Sequence, residues 1–306
     1  MKYYERDSSA NALILCDYGR SYFRYIQDHG FKIVFERHVR KKIFNKNGFD
    51  EAEISIPLYE SKDLGEDISY LKGYTYNLKN GSVERTKLRK RNVYYEDKND
   101  NVQYAKFTFP DVKEGSIVEV KYTVTSDFLY TLRDWQFQHD IPVKWSEYIV
   151  EIPEYFHYNR HTYGHQPYKI NENKVKWDFI TLRYRYRTGG NSLNDGAVRS
   201  HYKTQKVDYM KTMSRWVVED LPAFREEPFT TCAANYMNRI EFELARVEMP
   251  NTTATNYSES WESIREKLYE NDNFGRQLKR ANNYLNDPVE KLSSGLETPG
   301  EKMQSI

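Results

Sequence analysis

From Asn11 to about Pro250 the chain alternates apolar and polar residues in short runs broken by turn residues, with no helical pattern between them. A period of two is the strand signal, and it limits the possible folds more than any other feature here. The clearest run sets Phe31, Ile33, Phe35, Val39 and Ile43 on one face. Lys32, Glu36, His38, Arg40 and Lys42 fall on the other. This predicts a long strand with one wet face. Within 116–125 the pattern recurs, with Val118, Val120, Tyr122 and Val124 against Glu119, Lys121 and Thr123. Further strands are expected at 145–152, 174–179, 202–216 and 240–247. Residues 12–16 read as a short buried strand closed by a turn at Asp17-Tyr18-Gly19. Two Asn-Gly pairs predict hairpins, because both residue types tolerate positive φ. Asn47-Gly48 would return through a strand near 52–58, and Asn80-Gly81 would join 74–76 to 83–86. Pro110 to Gly115 reads as one more turn. The expected class is all-β, an antiparallel sandwich and not a parallel α/β sheet.

After Pro250 the period becomes helical. Trp261, Ile264 and Leu268 share a helical face, with Asn256 and Ser258 as capping candidates and Gly275 as a stop. Leu278, Ala281 and Leu285 predict a second short helix before Pro288. Thr298-Pro299-Gly300-Glu301 reads as a helix start, with Thr as N-cap, Pro at the first helical position and an acid in the first turn. Met303 and Ile306 then begin an apolar face. The organisation expected is an N-terminal extension (1–10), a sandwich domain (11–250), a helical segment (251–290) and a tail (291–306) leading toward a further domain. A flexible loop is expected at 191–196, entered through Gly189-Gly190.

Composition narrows the function classes. Lys and Arg number 46 against 45 Asp and Glu, for a formal net charge of +1, so bulk charge does not mark a nucleic-acid binder. Apolar residues make up 39% and aromatics 15%, with 27 Tyr, enough for a real core. No apolar stretch approaches the 18 residues that a membrane helix needs. Residues 1–7 lack the apolar core of a signal peptide. Two cysteines, Cys16 and Cys232, cannot build a disulfide framework.

Four groups of residues are candidates for chemistry. His157, His161 and His165 are spaced by four, which would gather them around a metal on a helix. On a strand, such positions lie about 13 Å apart and cannot share one ion, which leaves them as strand or loop histidines. Arg183-Tyr184-Arg185-Tyr186-Arg187 places three guanidinium groups on one side of a strand, with Leu182, Tyr184 and Tyr186 opposite. It could bind glycan or another anionic polymer, since Arg and Tyr offer forked donors and stacking faces. The plainer reading packs the Tyr inward and leaves the Arg solvated. Cys232, in a segment that could open a short helix, is a candidate thiol nucleophile with a base such as His201. The plainer reading is a half-buried structural cysteine, and Cys16 reads as inert core. Glu226-Glu227 is a weak acid–base pair, because adjacent side chains point apart. The chain has no Gly-rich phosphate loop, Cys-x-x-Cys pair or Gly-x-Ser-x-Gly elbow, so no cofactor is expected.

Asp17-Tyr18-Gly19, GFKIVFERHVRKKIFNKNGFDEAEISIPLY at 30–59, and the FPDVKEGSIVEVKYTV and DWQFQHDIPVKWSEYIVEIPEYF stretches within 107–156 together carry a resemblance. LPAFREEPF at 221–229 and IEFELARVEMP at 240–250 extend it to about residues 10–290. The chain resembles the domain of unknown function 3857, found ahead of transglutaminase-like domains in secreted or envelope proteins of Gram-negative bacteria. The resemblance implies an immunoglobulin-like β-sandwich in the periplasm or cell envelope, with no active site of its own. It implies a downstream transglutaminase-like partner domain whose Cys, His and Asp carry the chemistry. The expected role is therefore a non-catalytic accessory module, with envelope glycan binding as one alternative and a thiol-dependent hydrolase or transferase as another.

Overall fold

Strand β1 (Ala12–Ile26) runs straight through Asp17-Tyr18-Gly19 and pairs along its length with β2 (Gly30–Ile43). The expected turn does not form, and the reason is packing. The ring of Trp135 lies over Gly19, where an added Cβ would sit 2.2 Å from the indole. Gly19 is thus a place of close approach within a strand. Asp17 is fully buried and accepts from the Arg37 guanidinium at 2.9 and 2.6 Å, while that guanidinium stands 5.1 Å from the Trp135 ring. Burial works against the charge of Arg37, but Asp17 more than offsets it and holds the group above its ordinary pKa.

The computed structural model describes residues 1–188, 199–228, 232–250, 252–257, 261–271, 274–277, 288–296 and 298–305. Along the chain follow β3 (Glu53–Tyr59), β4 (Glu66–Lys79), β5 (Ser82–Lys87), β6 (Val93–Asn99), β7 (Val102–Thr108), β8 (Ile117–Ser126) and β9 (Trp135–Gln136). Then come β10 (Val143–Pro153), β11 (Phe156–Tyr163), β12 (Ile170–Thr188), β13 (Arg199–Leu221) and β14 (Arg239–Val247). The class is mostly β, as expected, but the strands form several sheets. The largest has eight strands in the order β12-β13-β10-β1-β2-β8-β4-β5. A three-stranded sheet, β3-β7-β6, and a small one in which β14 pairs with β11 and β9 complete the β-rich unit. One core cluster draws on all three: Ile33, Phe35 and Val120 from the large sheet, Ile56 and Phe107 from the second, Phe156 and Ile240 from the third.

Two expectations about turns part ways. Asn80 (φ 50°) and Gly81 (φ 81°) close the β4–β5 hairpin with Lys79 opposite Ser82, as the pair predicts. Asn47-Gly48 makes no hairpin. It lies in a 3₁₀ turn, Lys46–Ala52, where the Asn45 side chain accepts from Asn47 N–H at 2.9 Å. That cap steers the chain out of the large sheet, so β3 pairs with β7 instead of returning along β2. Gly48 is needed for a different reason: a Cβ there would meet the Asn11 carbonyl at 2.5 Å. The sheet is also not wholly antiparallel, since β1 and β10 run parallel. Parallel neighbours need a long crossover, which β2 through β9 supply.

After the β-rich unit, Met1–Thr255, residues Asn256–Ile306 form a second compact unit. It contains the expected helix, Trp261–Glu270, which ends before Gly275. Asn256 lies in a two-residue strand, Thr255–Asn256, and does not cap that helix. Helix Pro299–Ser305 carries the predicted cap in reciprocal form: Thr298 Oγ1 accepts from Glu301 N–H at 3.3 Å, and Glu301 Oε2 from Thr298 N–H at 3.1 Å. Ser258, Leu278, Ala281, Leu285, Ile306 and the 189–196 loop lie outside the described residues. No described helix is long and apolar enough to cross a membrane.

Gly19→Ala must push the Trp135 ring aside, whereas Gly65→Ala enters open space. In urea denaturation the first should lose about 1–3 kcal/mol of stability and the second almost none. Equal midpoints for the two variants would mean that the indole does not rest on Gly19.

Candidate functional site

Strand β1 brings together what the sequence holds apart. On the sheet face opposite the core, the register sets Glu147, Tyr18, His38 and Lys121 in one row across β10, β1, β2 and β8. The next row holds Ile149, Arg20, Glu36 and Thr123, and continues to Tyr70 on β4. These two rows line an open groove of about 500 Å³. A pocket of this kind, with apolar walls, a few convergent polar groups and shifted pKa values, is the default place to look for binding.

Polar groups in and beside the groove are tied into pairs. Glu119 accepts from Tyr76 Oη at 2.7 Å, bonds His38 Nε2 at 2.6 Å and pairs with Arg40 at 3.1 Å. Burial raises the Glu119 pKa, but Tyr76, Arg40 and His38 outweigh it and hold the carboxyl below its usual range. Burial pushes the His38 imidazole down, and Glu119 partly opposes this. Glu151 accepts from Arg20 Nε at 2.9 Å and from Lys211 at 2.6 Å, and Lys211 also reaches Asp178 at 2.8 Å. Glu147 accepts from Arg215 at 2.7 Å and from Trp145 Nε1 at 3.1 Å. Tyr18 and Tyr70 remain exposed at the groove, and burial raises the phenol pKa of Tyr18. The arrangement offers aromatic faces beside fixed charges, which suits binding of a polar molecule.

The residues singled out in the sequence lie elsewhere. Arg183 to Arg187 belong to β12, opposite Thr204 to Ser200 of β13. Arg183 stands 4.0 Å over the Tyr202 ring, Tyr186 stacks on His201 at 5.4 Å, and Tyr184 Oη donates to Gln205 at 2.7 Å. Tyr184 and Tyr186 do not pack inward. Both are exposed, because this part of the hairpin has core on neither side. Arg185 is exposed as well, and the Arg187 side chain lies outside the described atoms. Cys232 is exposed just before the 3₁₀ turn Ala233–Asn235. That corrects the half-buried reading, and among the described residues no hydrogen bond joins it to His201. Cys16 is partly buried, and burial pushes its thiol pKa up. His157 and His161 lie on strand β11, with His161 3.6 Å from Glu243. Among the described residues no group of three or more His, Cys, Asp or Glu could hold a metal ion. Glu226 and Glu227 are exposed.

A family profile for a domain of unknown function with a solved structure, DUF3857, matches residues 31–187. The chain belongs to that family. No curated protein matches it. Among solved structures it is similar to a protein from Parabacteroides distasonis ATCC 8503 described as a "putative protease", with a TM-score of 0.59 at 12% identity. The likeness covers 96% of this chain and 49% of that protein, so the chain spans about half its length.

Glu119 supports the charged form of His38 through a hydrogen bond and through its charge. Glu119→Gln should therefore lower the His38 pKa further, read by NMR titration of the imidazole protons. An unchanged or raised value would show that the two side chains are not coupled.

Proposed function

We propose that the chain is a non-catalytic, immunoglobulin-like module of the cell envelope that supports, orients or supplies substrate to a transglutaminase-like domain. The observation behind this reading is the state of three carboxylates, one lining the groove and two beside it. Glu119, Glu147 and Glu151 are each satisfied by two or more donors, and His38 Nε2 is committed to Glu119. Groups fixed in ion pairs shape a surface, whereas acid–base catalysis needs a group poised to exchange its proton. The raised thiol pKa of Cys16 disfavours the thiolate, and the imidazole of His201 is stacked on Tyr186. The likeness to half of a longer protein described as a "putative protease" agrees with chemistry carried by a companion domain.

A second reading, binding of envelope glycan or another anionic polymer, is favoured by one feature. The exposed hairpin layers cations and aromatics together, with Arg183 over Tyr202 and Tyr186 on His201.

One set of purified proteins separates these readings. The wild type and Cys232→Ala should both show only background thiol-dependent hydrolysis and transfer, and turnover lost in the variant would overturn the leading proposal. Salt-sensitive retention on immobilised polygalacturonate, lost in Arg183→Ala/Arg185→Ala, would favour the polymer reading; equal elution of the two would remove it.

A further inference from the structure

The large sheet ends in a long open edge. Among the described residues β12 has one strand neighbour, β13, and its 19 residues contain neither Pro nor Gly. Proteins usually blunt such an edge with prolines, bulges or short strands, because its free backbone groups are a template for another strand. The backbone shows which residues face outward. Met210, opposite Trp177, turns both its groups away from β12: its N–H donates to Glu154 Oε1, and its carbonyl accepts from Glu154 N–H, each at 2.8 Å. Trp177 and Met210 are therefore a non-hydrogen-bonded pair, and Trp177 points its N–H and C=O out of the sheet. Two residues of the same parity agree. Phe179 N–H donates to the Asp178 carboxylate at 2.8 Å, and Arg183 N–H to Gln27 Oε1 at 3.0 Å.

Over its middle, one face of this edge is apolar although exposed. Val175 is 66% exposed, Trp177 74% and Phe179 51%, and they share one face. An exposed apolar run on an open edge calls for a partner.

We propose that β12 pairs antiparallel with the β12 of a second copy of this chain, about a two-fold axis through Trp177. The argument is charge and shape complementarity within the strand itself. In a two-fold pair, each residue faces the one equally far on the other side of the axis. With the axis on Trp177, Lys176 faces Asp178, Val175 faces Phe179 and Trp177 faces its own copy. Neighbouring registers fail. An axis on Val175 opposes Lys174 to Lys176 and Glu172 to Asp178. One on Lys176 or Asp178 puts like charges at the centre. One on Phe179 sets Asp178 against Ile180 and Lys176 against Leu182, which leaves no opposite-charge pair beside the axis. The Trp177 register also makes the axial residues a hydrogen-bonded pair, as the outward backbone groups require. Asp178 is held below its usual carboxylate range, with Lys211 outweighing burial, so its charge is in place to meet Lys176 of the second copy. Cross-strand aromatic and opposite-charge pairs are what stabilise such a join.

The test is light scattering on the full chain across a concentration series, with disulfide trapping as an independent arm. A reversible dimer is expected. Lys176→Asp should weaken it about tenfold, and Lys176→Asp/Asp178→Lys should recover it. In a Cys232→Ala background, Trp177→Cys should cross-link to its own copy under mild oxidation, since axial residues of a hydrogen-bonded pair lie within disulfide reach. Thr181→Cys, eight positions from its copy's equivalent in this register, should not. The trapping arm stands even if the charge swap disturbs the Lys211 pair, and Trp177 is exposed enough to be replaced without touching the core. A monomer at all concentrations, a dimer indifferent to Lys176→Asp, or equal trapping at 177 and 181 would each overturn the proposal.

Discussion

Trp135 rests on Gly19, and the fold of the β-rich unit is arranged around that contact. The indole donates to Ser146 Oγ at 3.0 Å, stacks on Tyr148 at 4.9 Å, and meets Phe35 and Phe137 edge-on. Tyr148 in turn donates to the Arg133 carbonyl at 2.6 Å and accepts from Ser21 at 2.8 Å. The ion pair of Asp17 and Arg37 closes the remaining side, beneath the ring. One aromatic thus ties β1, β2 and β10 to β9, and it holds the parallel pair β1–β10 in register. A buried charge pair is costly to desolvate, so its worth lies in fixing one arrangement; breaking it leaves an uncompensated charge.

The same strand explains which parts of the structure could be read from the sequence. The wet face of β2 and the alternation of β8 were legible, because each strand carries its own period-two pattern. Glu36, His38 and Lys121 were therefore already on the correct face. The groove they share with Tyr18 and Arg20 was not legible. Asp17-Tyr18-Gly19 has the composition of a turn, and only a tertiary contact, the indole over Gly19, makes it strand. The Asn47-Gly48 reading failed for a related reason. The Asn45 cap, a local side-chain bond, redirected the chain where residue preference alone pointed to a hairpin. The Thr298 cap was legible because its signal and its hydrogen bonds both lie within four residues. The hairpin at 183–187 was recognised as a strand, but its exposure on both faces depends on how far β12 and β13 outrun the core.

The two faces of the large sheet divide the work. The inner face holds the packed cluster shared by three sheets, while the outer face carries charged rows in which Glu147 and His38 are tied to partners. Among the exposed aromatics outside the core are Tyr18 and Tyr70 at the groove and Tyr184, Tyr186 and Tyr202 on the β12–β13 hairpin.

The dependence of the β-rich unit on its buried latch is measured most directly by a double-mutant cycle on Asp17→Leu and Arg37→Leu, followed by chemical denaturation. Arg37→Leu should cost about 3–5 kcal/mol, because it strands the fully buried Asp17 carboxylate. Asp17→Leu should cost less, because the half-buried Arg37 guanidinium can still reach the water of the groove. The double variant should cost less than their sum by about 2 kcal/mol or more. Costs that simply add, to within about 0.5 kcal/mol, would show that the two groups do not act together and that the latch under Trp135 does not hold the sheet.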